Sequence, residues 1–171
     1  MGPISTEIEI DLPREQVFAA LTDLARRSSF TDHFLTGFHL LRIDPVGVGA
    51  GARFRAQGPL RSPWMDTTIV SLEEPFRIVE EGEGGRSNRI RNHTVWELTE
   101  SPGGLTAVRI SHWTEPGPID RGLELLSAGS VWQSRGWREA LRRLRDQLES
   151  EQAPAERVAV AGGNRLATGI P

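Results

Sequence analysis

Residues 89–114 read RIRNHTVWELTESPGGLTAVRISHWT, and residues 119–149 read IDRGLELLSAGSVWQSRGWREALRRLRDQLE. The two stretches obey different periods. In the first, Thr94, Trp96 and Leu98 recur at every second position, and so do Val108, Ile110 and His112 beyond Ser101-Pro102-Gly103-Gly104. Period two on both sides of a Pro-Gly-Gly turn predicts a long antiparallel hairpin over Arg89–Thr99 and Leu105–Thr114. In the second stretch, Ile119, Leu123, Leu126, Ser130, Gln133, Trp137, Leu141, Leu144 and Leu148 share one helical stripe. That predicts a single long helix over Ile119–Glu149, with i,i+4 charge pairs Glu139–Arg143, Arg142–Asp146 and Arg145–Glu149 on its outer face.

Upstream of the hairpin the same two periods alternate. Ile4, Thr6, Ile8, Ile10 and Leu12 are interleaved with Ser5, Glu7, Glu9 and Asp11, the pattern of a half-buried strand. Pro13 suits a first helical turn, with the cap near Asp11 or Leu12. Val17, Ala20, Leu21 and Leu24 follow at helical spacing, and Asp23 with Arg26-Arg27 closes that helix. A second short helix carries Phe30 and Phe34. Strands are expected over Phe38–Ile43, Ala52–Gln57, Trp64–Leu72 and Phe76–Glu81, separated by Gly- and Pro-containing turns. In Trp64–Leu72 the phase is ambiguous, because Val70 and Leu72 fall opposite Ile69. The order is one strand, two short helices, about six antiparallel strands and one long helix, which means α+β. A single sheet that long must curl, and the long helix is the object for it to curl around. Residues 1–149 form the expected domain, and the Ala-, Gly- and Pro-rich residues 150–171 read as a tail.

Composition removes several chemistries. The chain has 171 residues, 20 basic and 23 acidic, for a net charge of −3. All the basic residues are Arg. No Lys means no side-chain Schiff base and no P-loop lysine, and no Cys means no thiol nucleophile or Cys-bound zinc. The charge balance carries no general affinity for nucleic acid. No run approaches the ~18 apolar residues of a membrane span. With no signal peptide before the first strand, a cytoplasmic location is expected, as a monomer or homodimer. Gly47-Val48-Gly49-Ala50-Gly51 fails the dinucleotide-binding spacing at Ala52 and leads into a strand, so it reads as a turn.

In this order and spacing, several short motifs resemble the START-like superfamily, also called SRPBCC, Bet v 1-like or polyketide cyclase/dehydrase-like. The first is Ile8-Glu9-Ile10-Asp11-Leu12-Pro13-Arg14-Glu15-Gln16-Val17-Phe18, followed by Leu21-Thr22-Asp23. The others are Gly47 to Phe54, Glu74-Pro75, Val95-Trp96-Glu97-Leu98, Gly103 to Val108 and the C-terminal helix. The resemblance spans residues 4–149. It implies a helix-grip fold, a curved sheet wrapped on the C-terminal helix with a cavity between them. Members include lipid and hormone binders, polyketide aromatase/cyclases and Hsp90 co-chaperone-like proteins. No universal catalytic motif comes with the resemblance, so no catalytic residue is carried over.

The residues expected to line a ligand site are Phe30 and Phe34 on the short helix, and Met65, Thr67, Ile69, Trp96, Ile110 and His112 on the strands. Leu126, Ser130 and Gln133 join them from the long helix. Apolar walls with a few hydroxyls suit an apolar body oriented by one polar group. The small residues Ser127, Ala128, Gly129 and Ser130 leave room, although a close helix–sheet crossing wants them too. Tryptophans 64, 96, 113, 132 and 137 offer large flat walls or simple core filling. His112 falls on the inward phase, as a hydrogen-bonding group, a general base or a satisfied core histidine. His93 shares a face with Arg89, Arg91 and Glu97 and is expected to meet solvent. The four histidines have no ligand spacing, so no metal or cofactor is expected. The leading expectation is a binder of a hydrophobic small molecule (lipid, sterol-like or polyketide-like). The alternatives are an aromatase/cyclase-like enzyme acting on a poly-β-ketone through His112, Asp66, Thr67 or Ser130, and a co-chaperone-like interaction module.

Overall fold

The computed structural model describes residues 3–115 and 129–152. Strand β1 (Ile4–Ile10) leads into helix α1 (Arg14–Thr22), a single 3₁₀ turn (Leu24–Arg26) and the short helix α2 (Arg27–Thr31). Six strands follow: β2 (Leu35–Leu40), β3 (Gly51–Ala56), β4 (Trp64–Glu73), β5 (Arg77–Gly84), β6 (Ile90–Glu100) and β7 (Thr106–Glu115). Helix α3 (Gly129–Gln152) completes the described chain. All seven strands join one antiparallel sheet in the order β1-β7-β6-β5-β4-β3-β2. The chain meanders from β2 to β7, and β1 adds to the far edge. This is the expected α+β helix-grip architecture, a curled half-barrel around the C-terminal helix.

Strands β4 and β5 approach closely at two glycines of β5. A Cβ on Gly82 would lie 1.8 Å from the Asp66 carbonyl oxygen, and one on Gly84 would lie 2.3 Å from that of Trp64. Only glycine lets the two backbones cross this closely. Side chains there would push the strands apart and open the half-barrel.

The hairpin forms as its period requires: Asn92, Thr94, Trp96 and Leu98 pair with Thr114, His112, Ile110 and Val108. In β4 the register shifts between Ile69 and Ser71. This bulge settles the ambiguous phase: Met65, Thr67 and Ile69 point inward before it, Val70 is exposed, and Leu72 returns to the core after it.

Several boundaries differ from expectation. The second strand runs Leu35–Leu40 rather than Phe38–Ile43, because β3 starts at Gly51 and its carbonyl takes the Leu41 N–H at the end of the pairing. Phe34 lies in the turn after α2, not on it. Pro13 is the N-cap of α1. Arg27 does not close α1. It opens α2 and turns inward. Helix α3 continues to Gln152, so residues 150–152 of the expected tail are helical. The expected helix over residues 119–128, Leu126 included, lies outside the described residues. Of the expected charge pairs, Glu139–Arg143 forms at 3.2 Å, whereas Arg145 pairs with its neighbour Asp146 at 2.8 Å.

The helix stripe does the packing. Trp137, Ala140, Leu141, Leu144 and Leu148 are all buried, in one cluster with Ile78, Trp96, Leu98, Val108 and Ile110 of the sheet and Val17, Leu21 and Leu24 of the N-terminal helices. Each fully buried Leu or Ile of this kind contributes about 1.5–3 kcal/mol.

Candidate functional site

Strand register arranges the inward side chains of the sheet in rows. Phe54 pairs with Met65, Met65 with Gly84 and Gly84 with Ile90, making an apolar row. The next row holds Thr67, Gly82, Asn92 and Thr114, and the one after it Ile69, Glu80, Thr94 and His112. Below that lie Ile78, Trp96 and Ile110. The first three rows, Ile69 excepted, face a cavity, and the fourth belongs to the packed core. The apolar wall is completed by Phe34, Phe38 and Trp137, and the rim by residues 57–61 and Pro63. The free space is about 1020 Å³ with its open mouth included, and the centre of a water molecule can occupy about 100 Å³ of it. One water needs only ~10–15 Å³ by that measure, so the cavity has room for a small ligand.

Two packing features keep the space open above the floor. Phe38 and Phe54 stack with centroids 5.9 Å apart, fixing one wall. Gly136 lets the Phe34 ring lie flat against α3, where a Cβ would sit 2.6 Å from it. His33 braces the same turn through Nε2 and the Gly136 carbonyl, 3.0 Å apart.

The floor is polar and charged. Arg27 donates to Glu80 Oε1 at 2.6 Å and to the Leu21 carbonyl at 3.1 Å, with a longer bond to Oε2 at 3.4 Å. Glu80 accepts further bonds from Trp96 Nε1 at 2.9 Å and Thr67 Oγ1 at 3.3 Å. Both charged side chains are almost wholly buried, 4% and 3% exposed. The guanidinium also lies 4.8 Å above the Trp96 ring. An unpaired charge here would be very costly, and the four hydrogen bonds to the carboxylate offset the cost of burying the pair.

His112 lies in the same row as Glu80, one strand beyond Thr94. Its Nδ1 is 2.9 Å from Thr94 Oγ1, and its ring centroid is 5.6 Å from that of Trp137. Burial first, and nearby His93 second, push its pKa down to about 4. At neutral pH the ring is uncharged, and Nε2 offers one donor or one acceptor according to the tautomer.

Of the expected site residues, Phe34, Met65, Thr67, His112 and Gln133 line the cavity. Phe30, Ile69, Trp96 and Ile110 point inward but lie in the packed core rather than on the cavity wall, and Trp96 reaches the site only through its indole N–H. Ser130 lies on α3, and nothing is described of its side chain. His93 does lie on the outer face of the sheet, but it is covered by the Trp113 ring at 5.0 Å and sits 3.7 Å from both Glu81 and Glu115.

Sequence reading misses Arg27, Glu80 and Asn92 as site residues, and puts Thr94 on the inward strand face without carrying it into the expected lining. The signal is present for three of the four: Glu80 shares the phase of Ile78, and Asn92 and Thr94 share that of Trp96. For Arg27, at a helix junction, no period exists to read. Among the described residues no group of three or more His, Asp and Glu side chains could hold a metal ion. No helix among them is long and apolar enough to cross a membrane.

Among solved structures, the NMR structure of the KanY protein has a TM-score of 0.69 at 19% identity, covering 87% of this chain and 99% of its own. TTHA0849 from Thermus thermophilus has 0.69 at 15%, covering 88% and 99%. A START superfamily protein from Mycobacterium smegmatis has 0.61 at 16%, covering 86% and 99%. At these identities the likeness is one of fold. No curated protein matches the chain. Residues 1–149 match the model of the family described as polyketide cyclase/dehydrase and lipid transport, and the curled sheet around α3 is the fold that match requires, so the chain belongs to that family, with a START-like fold.

Proposed function

We propose that the chain binds a hydrophobic small molecule in the cavity between the sheet and α3. The observation that carries this reading is a cavity with a largely apolar wall and a cluster of hydrogen-bonding groups at its floor. Phe34, Phe38, Phe54, Met65 and Ile90 supply the wall, Asn92, Thr94 and His112 lie with the Arg27–Glu80 pair at the floor, and Gln57 and Arg61 stand at the rim. An apolar body would lie against the wall while one polar group reaches Thr94, His112 or Asn92. The family description, which includes lipid transport, supports the same reading. A ligand burying ~300 Å² of apolar surface would gain roughly 7 kcal/mol before association costs, so micromolar binding, which needs about 8 kcal/mol net, requires a larger buried area together with hydrogen bonds at the floor.

Native mass spectrometry of freshly purified protein, with organic extraction, tests it. A reproducible excess mass that is lost on denaturation, or a raised melting temperature with sterols, fatty alcohols or aromatic polyketide mimics, is the expected result. A clean apo mass together with no shift across that panel would contradict it.

A cyclase-like reaction on a poly-β-ketone is the second reading, favoured by the uncharged His112 ring on the cavity wall. A base with a conjugate-acid pKa of about 4 is a weak proton acceptor near neutral pH, so binding is the better-supported function. Turnover of a polyketide mimic by the wild type, lost in a folded His112→Ala variant, would reverse that order.

A further inference from the structure

The charges lining the cavity indicate which polar group it takes. Among the described residues, three side chains of the lining are ionic: Arg27, Glu80 and, at the exposed rim, Arg61. Arg61 stands in water, which screens it. At the floor, the Arg27 cation is engaged by Glu80 at 2.6 Å, and the pair has no net charge. The carboxylate is in turn held by Trp96 and Thr67. Among the described residues, a ligand anion brought to this floor would find only the unpartnered Nε–H of Arg27, on a guanidinium whose charge Glu80 already neutralises, and would face the Glu80 oxygens. A ligand cation would meet a carboxylate whose acceptor positions are filled. The remaining floor groups are neutral: Asn92, Thr94, Thr114 and the His112 ring. Burying an ion among them costs far more than burying a hydroxyl or carbonyl that they can hydrogen-bond.

We propose that the cavity selects uncharged ligands, hydrophobic molecules bearing a hydroxyl or carbonyl group, and discriminates against carboxylates because Glu80 neutralises Arg27 at the floor. This rests on the binding reading above and adds the class of ligand. A hydroxyl is the better match of the two. It can donate or accept, and so it suits either tautomer of His112 Nε2.

The test uses three probes of one chain length, 1-decanol, methyl decanoate and decanoate, titrated into the full chain at pH 7.5. Decanol and the ester are expected to bind at least 10-fold more tightly than decanoate. In Glu80→Gln, which leaves Arg27 unpaired, decanoate is expected to gain at least 10-fold relative to decanol. Because that variant leaves a charge buried and could fail to fold, the double variant Arg27→Met/Glu80→Met is measured alongside. It removes both charges, and the decanol preference should persist within about 3-fold. Decanoate binding as tightly as decanol to the wild type would overturn the selection while leaving the binding reading intact. A decanol-to-decanoate ratio unchanged in folded Glu80→Gln would overturn the role of the pair. If none of the three probes binds, the selection as stated fails; the binding reading fails with it only if the sterol and polyketide-mimic panel also gives no shift.

Discussion

The inner face of the sheet has two halves built from the same strands with the same alternation. In one, Ile78, Trp96, Leu98, Val108 and Ile110 meet Leu141, Leu144 and Leu148 of α3, and the space is filled. In the other, Met65, Thr67, Asn92, Thr94 and His112 meet Gln133, Gly136 and Trp137, and the space stays open. The strands alone do not make the difference. It comes from what α3 presents to each half: leucines at its C-terminal end, and a glycine with Phe34 folded against it towards its N-terminal end. The boundary between the halves is the Arg27–Glu80 pair. It closes the core from above with a charge-neutral, hydrogen-bonded layer. Period two therefore says which face a side chain is on. Depth along the strand decides whether it is core or cavity wall.

The boundary is where the largest effect is expected. Glu80→Ala leaves the Arg27 cation buried without its partner and should cost about 3–5 kcal/mol in urea unfolding, while Arg27→Met/Glu80→Met should recover most of that loss. A loss for Glu80→Ala no larger than that of a surface change would mean that water reaches the pair freely, and the two halves would then not be separated there.

The halves themselves should respond differently to truncation. Leu141→Ala opens a void in a filled region and should cost about 2–5 kcal/mol. Met65 already borders free space, so Met65→Ala lacks most of the cavity penalty and should cost roughly 1–2 kcal/mol. Equal losses would erase the contrast.

Protonation offers a third comparison. His112 has a folded pKa of about 4, below the unfolded value near 6.5. The unfolded chain therefore binds the extra proton first as pH falls. His112's contribution to stability is full above about pH 6.5 and declines down to about pH 4, by up to about 3 kcal/mol. Unfolding of the wild type and His112→Gln between pH 7.5 and 4.5 should diverge in slope, with the variant flatter. Parallel curves would mean that the ring is not desolvated. The smallest effect belongs to the outer surface. Arg53 and Asp66 form a two-bond pair at 2.6 and 2.8 Å on the exposed face, and Arg53→Ala should leave the unfolding midpoint almost unmoved.

Much of this is legible from the residues. The hairpin, the helix stripe from Trp137 to Leu148 and the alternation of β1 are strong periodic signals, and they place the sheet and its helix. Phe34, Met65, Thr67, His112 and Gln133 come to the cavity because period two and the helical stripe identify the inward side. Trp96, Ile69 and Ile110 carry the same signal but lie in the core, since depth depends on register and on which helical side chains pack against each row. The Arg27–Glu80 floor is harder to find, because a charged residue on an inward phase reads as an exception until its partner is seen. That partner comes from a helix junction 53 residues away, outside any periodic pattern.

The central claim is that the open half of the inner face is where a ligand sits. The chain has only two methionines, Met1 and Met65, and Met65 lines the cavity. A methyl-13C methionine spectrum therefore contains one signal from the site itself. Titration with 1-decanol is expected to move the Met65 resonance in step with the gain in melting temperature. Thermal stabilisation by decanol with Met65 unmoved would put the ligand elsewhere and contradict the account.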